Sequence, residues 1–188
     1  MESPQPLTGE HLALDLVNTH PVSHDLLSTP QALRAWLVLQ RDRLEVPSDA
    51  EARITSADLR EVQHVRDNVA RVIGQLRAGR RPATSSVNAI NAARGKAPLV
   101  PELRWRQGAI VQTRRRPGPL GDRLAAWLAD AAGDLLSGAD MLRVRECEAD
   151  DCTMLFVPRH PGRRWCDPAR CGNRVRVARH YRRSRAGE

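Results

Sequence analysis

Apolar residues recur at helical spacing through most of the chain. Residues 11–19 form a dense apolar segment in which Leu12, Ala13, Leu14, Leu16 and Val17 surround Asp15 and Asn18, and this predicts a buried helix. Ser28-Thr29-Pro30 places a capping residue before a proline suited to a first helical turn, and Leu33, Trp36, Leu37 and Leu44 follow at helical spacing. The clearest pattern starts at Ser56, read as a cap. Leu59, Val62, Val65, Val69, Val72, Ile73 and Leu76 then mark one face, and Gly79 ends it. Val87 and Ile90 indicate a shorter helix after Ser85-Ser86.

Between residues 99 and 116 the period changes. Leu103 and Trp105 alternate with Arg104 and Arg106, Gln107-Gly108 offers a turn, and Ile110-Val111 follows, which together predict a β-hairpin. Pro117-Gly118-Pro119 breaks that pattern. Leu120, Leu124, Trp127, Leu128, Ala131, Leu135 and Leu136 predict a last body helix, stopped at Gly138. Residues 141–145 alternate as a short strand. All four tryptophans fit core positions. Asp15 and Asn18, polar groups one turn apart in an apolar segment, predict buried hydrogen bonds, with a ligand pocket as the alternative.

The expected architecture is mainly α. A helical N-terminal domain with a short β-hairpin, residues 1–140, precedes a small C-terminal module, residues 141–188, with little linker between them. At 188 residues and 41% hydrophobic, the chain is too apolar for wholesale disorder. Its apolar runs are too short to span a membrane. Residues 1–6 hold an acid and two prolines and no apolar core of a signal sequence, so a cytoplasmic location is expected.

Charge changes the picture at one end. The net charge is +8, and residues 159–188 hold ten arginines against Asp167 and Glu188, so the remainder of the chain is neutral. A neutral body with a basic terminus points to an anionic partner, a solvated basic face being the plainer alternative. All four cysteines, Cys147, Cys152, Cys166 and Cys171, fall in the last part of the chain as two C-x4-C pairs separated by thirteen residues. Four thiolates satisfy tetrahedral Zn²⁺ and leave no open position, which marks one structural zinc ion. Disulfides and free thiols are the competing readings, and a chain without a secretory signal disfavours the former. His160 and His180 are bystanders if the four sulfurs complete the shell. So small a module needs the metal for much of its stability. Arg163, Arg164 and Arg174 flank the cysteines and can offset the negative charge of a four-thiolate centre.

Cys171-Gly172-Asn173-Arg174 is the tetrapeptide that names the CGNR zinc-finger family, and Leu155-Phe156 and Arg163-Arg164-Trp165-Cys166 resemble the same finger. Residues 11–19 resemble the start of the ABATE domain that accompanies it. The chain departs from the family after Phe156, where Val157-Pro158-Arg159-His160-Pro161 replaces an acidic and a small polar residue. The resemblance implies a bacterial, zinc-binding, DNA-binding protein, described at family level as a stress-induced transcription regulator.

Beyond Gly172 the spacing predicts a terminal helix. At 100° per residue, Val177, Ala178 and Tyr181 fall on one side and Arg176, Arg179, Arg182 and Arg183 on the other. The first set is expected to pack and the second to meet nucleic acid, most readily double-stranded DNA, with Arg163 and Arg164 as further contacts and Arg174 supporting the metal. The N-terminal domain would then receive a small-molecule or protein signal, or mediate assembly. A zinc-stabilised protein–protein or RNA–protein scaffold is the alternative. With no P-loop, GxGxxG, GxSxG or HExxH, an enzyme has no constellation behind it.

Overall fold

The computed structural model describes residues 8–21, 24–44 and 54–186. Residues 1–6, on which the expected absence of a signal sequence rests, lie outside them. Helix α1 spans Leu12–Val17 and α2 spans Pro30–Leu39, which starts where Thr29 accepts the backbone N–H of Ala32. The longest helix, α3, runs Ser56–Arg77. Its cap is Thr55, not Ser56. Thr55 has extended backbone (φ −108°, ψ 170°), and its hydroxyl and the Asp58 carboxylate satisfy each other's backbone N–H groups. Ser56 could not form that box, because three residues beyond it stands Leu59. Gly79, at φ +65°, takes the left-handed turn that closes the helix.

Helix α4, Thr84–Lys96, turns Ser86, Ile90 and Ala93 inward, while Val87 is exposed. Strands β1 (Val100–Arg106) and β2 (Ala109–Arg115) form the hairpin, with Trp105 opposite Ile110 and Leu103 opposite Gln112. Gln107 (φ 49°) and Gly108 (φ 81°) give the two-residue turn, a left-handed pair matched to strand twist. Helix α5, Leu120–Ser137, buries Leu124, Ala125, Leu128, Ala129, Ala132 and Leu135. Its small residues let it approach α3 closely. A Cβ on Gly121 would lie 2.9 Å from the Asp58 Cα.

One apolar core joins α1 to α5, with Trp36, Leu14, Val69, Ile73 and Leu128 at or below 2% exposed. Buried charges inside it are paired. Arg66, 3% exposed, grips Asp25 through two bonds of 2.6 and 2.9 Å. Arg116 donates to the Ala97 carbonyl at 2.7 Å and pairs with Asp130, fastening the foot of the hairpin to α5. One tryptophan departs from its expected core position, and another joins a second, smaller cluster. Trp105 is 72% exposed, and Trp165 packs on the cysteines rather than the helical core.

Residues 141–143, expected as strand, belong to a 3₁₀ turn, Ala139–Arg143. Only Arg145–Glu146 (β3) is extended, pairing antiparallel with Leu155–Phe156 (β4). After a π turn over Pro168–Gly172, helix α6 spans Asn173–Ala186.

Candidate metal centre

The short β3–β4 ribbon presents its cysteines by local geometry. Cys147 follows β3 and donates its backbone N–H to Met154 O at 2.9 Å, and a turn closed by Cys152 N–H to Ala149 O returns the chain. The second pair is set by Asp167. Its carboxylate accepts the N–H groups of Ala169 and Arg170, and its carbonyl accepts those of Cys171 and Gly172, which winds the π turn. Trp165 covers Gly172 so closely that a Cβ there would stand 3.1 Å from the indole. The tetrapeptide's glycine is therefore a packing requirement.

All four sulfurs lie within 4.8 Å of one another. Cys152 and Cys166 are 3.8 Å apart, and Cys166 and Cys171 3.6 Å. A tetrahedron with Zn–S bonds of about 2.3 Å has edges of about 3.8 Å, so these sulfurs fit one zinc ion. The protons tell the same story. Hydrogen bonding from Cys166 holds the Cys152 thiol down to about 5, the same bond and burial drive Cys166 upward, and burial pushes Cys171 up to about 12. Packed together, the sulfurs of Cys166 and Cys171 resist ionising beside Cys152. A divalent ion replaces the remaining protons. Arg174 stands by that charge, 3.7 Å from the Cys171 sulfur and 2.7 Å from Asp151. His160 is exposed and outside the cluster, and the side chain of His180 lies outside the described residues.

Around the sulfurs, Ala149 and Phe156 are buried, with Trp165 and Val175 packed partly against them. This small cluster is distinct from the helical core but bonded to it. Asn18 donates to Leu155 O and accepts from Leu155 N, both at 2.8 Å. Glu10 accepts Val157 N–H at 3.1 Å and an Arg163 N–H at 2.6 Å. Arg163 also donates to the carbonyls of Val157, Trp165 and Cys166 and stacks 4.5 Å from the Phe156 ring. Its side chain is 12% exposed, so the structure turns inward a residue that sequence reading offered to nucleic acid. Arg164 remains half-exposed but pairs with Glu148. Asp15, the other polar residue of α1, accepts the N–H groups of Gly9 and Glu10 and bonds of Gln40 and Arg43. Burial raises its pKa against those partners. Asp15 and Asn18 both act as structural ties.

The finger-to-body contacts through Glu10 and Asn18 were missed in the sequence, since nothing local links residues 10 and 163. The terminal helix also differs from expectation. Only Val175 packs on the finger, while Val177, Ala178 and Tyr181 are exposed along with Arg176, Arg179, Arg182 and Arg183. Among the described residues, no apolar side chain of the helix after Val175 is buried.

Residues 143–184 match the family described as "CGNR zinc finger", and residues 10–139 match the ABATE family, described as "Putative stress-induced transcription regulator". The chain has no match among curated proteins. Both families are of regulatory or zinc-finger kind rather than enzymes. The chain belongs to the ABATE family, its helical body joined to a CGNR zinc finger.

Proposed function

We propose that this protein is a transcription regulator that grips double-stranded DNA through α6. The observation that carries this reading is the position of four exposed arginines on a helix fastened directly to a metal centre. Cys171, a zinc ligand, lies two residues before α6, so the metal fixes the helix root. None of the ion pairs among the described residues engages Arg176, Arg179, Arg182 or Arg183, whereas Arg163, Arg164 and Arg174 each meet a carboxylate. Fourteen residues give a rod about 21 Å long, enough to cross a major groove. Guanidinium groups bind phosphate in bidentate fashion and read the guanine edge.

In this reading zinc is structural, Arg174 steadies it, and Arg163 holds finger to body. The helical body receives a signal, from a small molecule or a protein, and passes it through the Glu10 and Asn18 contacts. Among the described residues no helix is long and apolar enough to cross a membrane, and a cytoplasmic location accords with the proposed role.

The test is a variant with Arg176, Arg179, Arg182 and Arg183 replaced by Gln, checked for zinc and helix content and titrated with duplex DNA at several salt concentrations. Weaker binding to every duplex is expected, with the salt slope reduced by roughly 0.9 for each phosphate no longer neutralised. Unchanged affinity and slope in a folded variant would remove α6 from the interface. Wild-type protein that binds no DNA, or binds with a flat slope, would favour the scaffold alternative.

A further inference from the structure

The β1–β2 hairpin is unexplained by the metal centre and by α6. Its register puts Leu103, Trp105 and Ile110 on one face, and that face is bare, at 69, 72 and 67% exposed. Three large apolar side chains turned to water on a lone two-stranded ribbon call for a cover. The foot is firmly rooted by Arg116, which is buried against the Ala97 carbonyl and Asp130. The tight turn at Gln107-Gly108 closes the far end. The hairpin is thus a preformed arm.

Charge indicates what covers it. The strands carry Arg104, Arg106, Arg114 and Arg115, all exposed, against Glu102 alone. Glu102 is held by Arg104 at 2.7 Å, with Arg115 3.7 Å away. The register sets Arg114 on the face of Trp105 and Arg104, Arg106 and Arg115 on the other, so a second copy of the arm, whichever face it met, would bring like charges together at close range. A nucleic-acid groove answers both features, since it is lined by phosphates at its rims and by bases within. Apolar side chains on a ribbon can wedge between base steps while flanking arginines neutralise the backbone.

We propose that the β1–β2 arm is a second nucleic-acid contact, lying in a groove of duplex DNA with its arginines on phosphates and Trp105, next to the tip, against the bases. This rests on the DNA-binding reading of α6 and extends it to a bipartite grip.

The test uses full-length, zinc-loaded protein and a fluorescently labelled duplex of mixed sequence. One variant carries Arg104, Arg106, Arg114 and Arg115 as Gln; the other is Trp105→Ala. All five positions are exposed, so both variants should keep wild-type circular dichroism and zinc content. The charge variant should bind more weakly with a shallower salt slope, by roughly 0.9 for each phosphate it ceases to neutralise. Trp105→Ala should bind roughly tenfold more weakly at an unchanged slope. It should also abolish part of the tryptophan quenching that DNA produces. If the α6 variant loses binding while both arm variants bind as wild type, the arm proposal is overturned and the α6 reading stands. If wild-type protein binds no duplex even at low salt, both fall together. Arm variants that instead change the sedimenting species from dimer to monomer would make the arm a self-contact and overturn the proposal.

Discussion

Asn18 satisfies both backbone polar groups of Leu155, its amide nitrogen donating to the carbonyl and its oxygen accepting the N–H, across 137 residues of sequence. The side chain does what a neighbouring strand would do for the free edge of β4. All of these atoms are buried, so water cannot take over either bond.

Asn18→Ala should therefore destabilise the protein by about 2–4 kcal/mol, because two buried backbone groups lose their partners. Asn18→Asp keeps an acceptor but opposes a carboxylate to the Leu155 carbonyl, and should be no better. Urea titrations followed by circular dichroism check this. A wild-type midpoint in both variants would show that the joint adds nothing. Arg163→Gln, which strands the mostly buried Glu10, should cost a comparable amount and loosen zinc, whereas Arg176→Gln should change neither.

Zinc should be present at one ion per chain and be lost on acidification, since each thiolate that takes up a proton is a ligand removed. Chelation should dissolve the small cluster around Phe156 and Trp165 while most helical signal persists, because α1 to α5 build a separate core. Elemental analysis, tryptophan emission and circular dichroism on the same sample suffice. Collapse of the whole helical signal on chelation would mean that the two clusters are one folding unit.

Asp25 supplies a pH test. Burial raises its carboxyl pKa, but the Arg66 guanidinium and the Leu27 N–H outweigh that, and the folded value lies below the ordinary one. A depressed carboxylate stabilises above its unfolded pKa and stops doing so as pH falls through the folded value. Asp25→Asn should thus cost about 2–3 kcal/mol at neutral pH, leaving Arg66 buried without its main partner. The gap between variant and wild type should narrow below about pH 4. A pH-independent difference would contradict the ion-pair account.

Two helical glycines should respond oppositely to alanine. Gly121→Ala forces a methyl against the Asp58 backbone at 2.9 Å and should lose about 1–3 kcal/mol. Gly74, in the exposed part of α3 with nothing within 4 Å of a new Cβ, should gain about 0.5–1 kcal/mol on becoming alanine. Thermal melts of the two variants decide the matter, and a Gly121→Ala protein melting at or above wild type would refute the close α3–α5 approach.

The helices, the hairpin and the four sulfurs were legible because each is written in local spacing. The one-residue error at Thr55 arose because a serine and a threonine stand side by side, and only the position of Asp58 selects between them. Periodicity failed differently at Trp105 and at Val177 and Tyr181. It identifies a face, but the alternation is the same whether that face meets its own core or faces outward. The seat of Arg163 was illegible for a third reason. Its neighbours in sequence are other arginines, while the group that claims it, Glu10, is 153 residues away.

The seat of α1 has a consequence for how the chain is made. This helix packs on α5 and, through Asn18, on β4, yet it leaves the ribosome well before either exists. Its apolar face meets α3 first, and must wait through the synthesis of more than a hundred residues before α5 completes its cover. Such long-separated contacts slow folding and lengthen the interval in which sticky surface is open to other molecules. A nascent chain paused before the finger is complete should therefore be the form most exposed to aggregation and most dependent on chaperones.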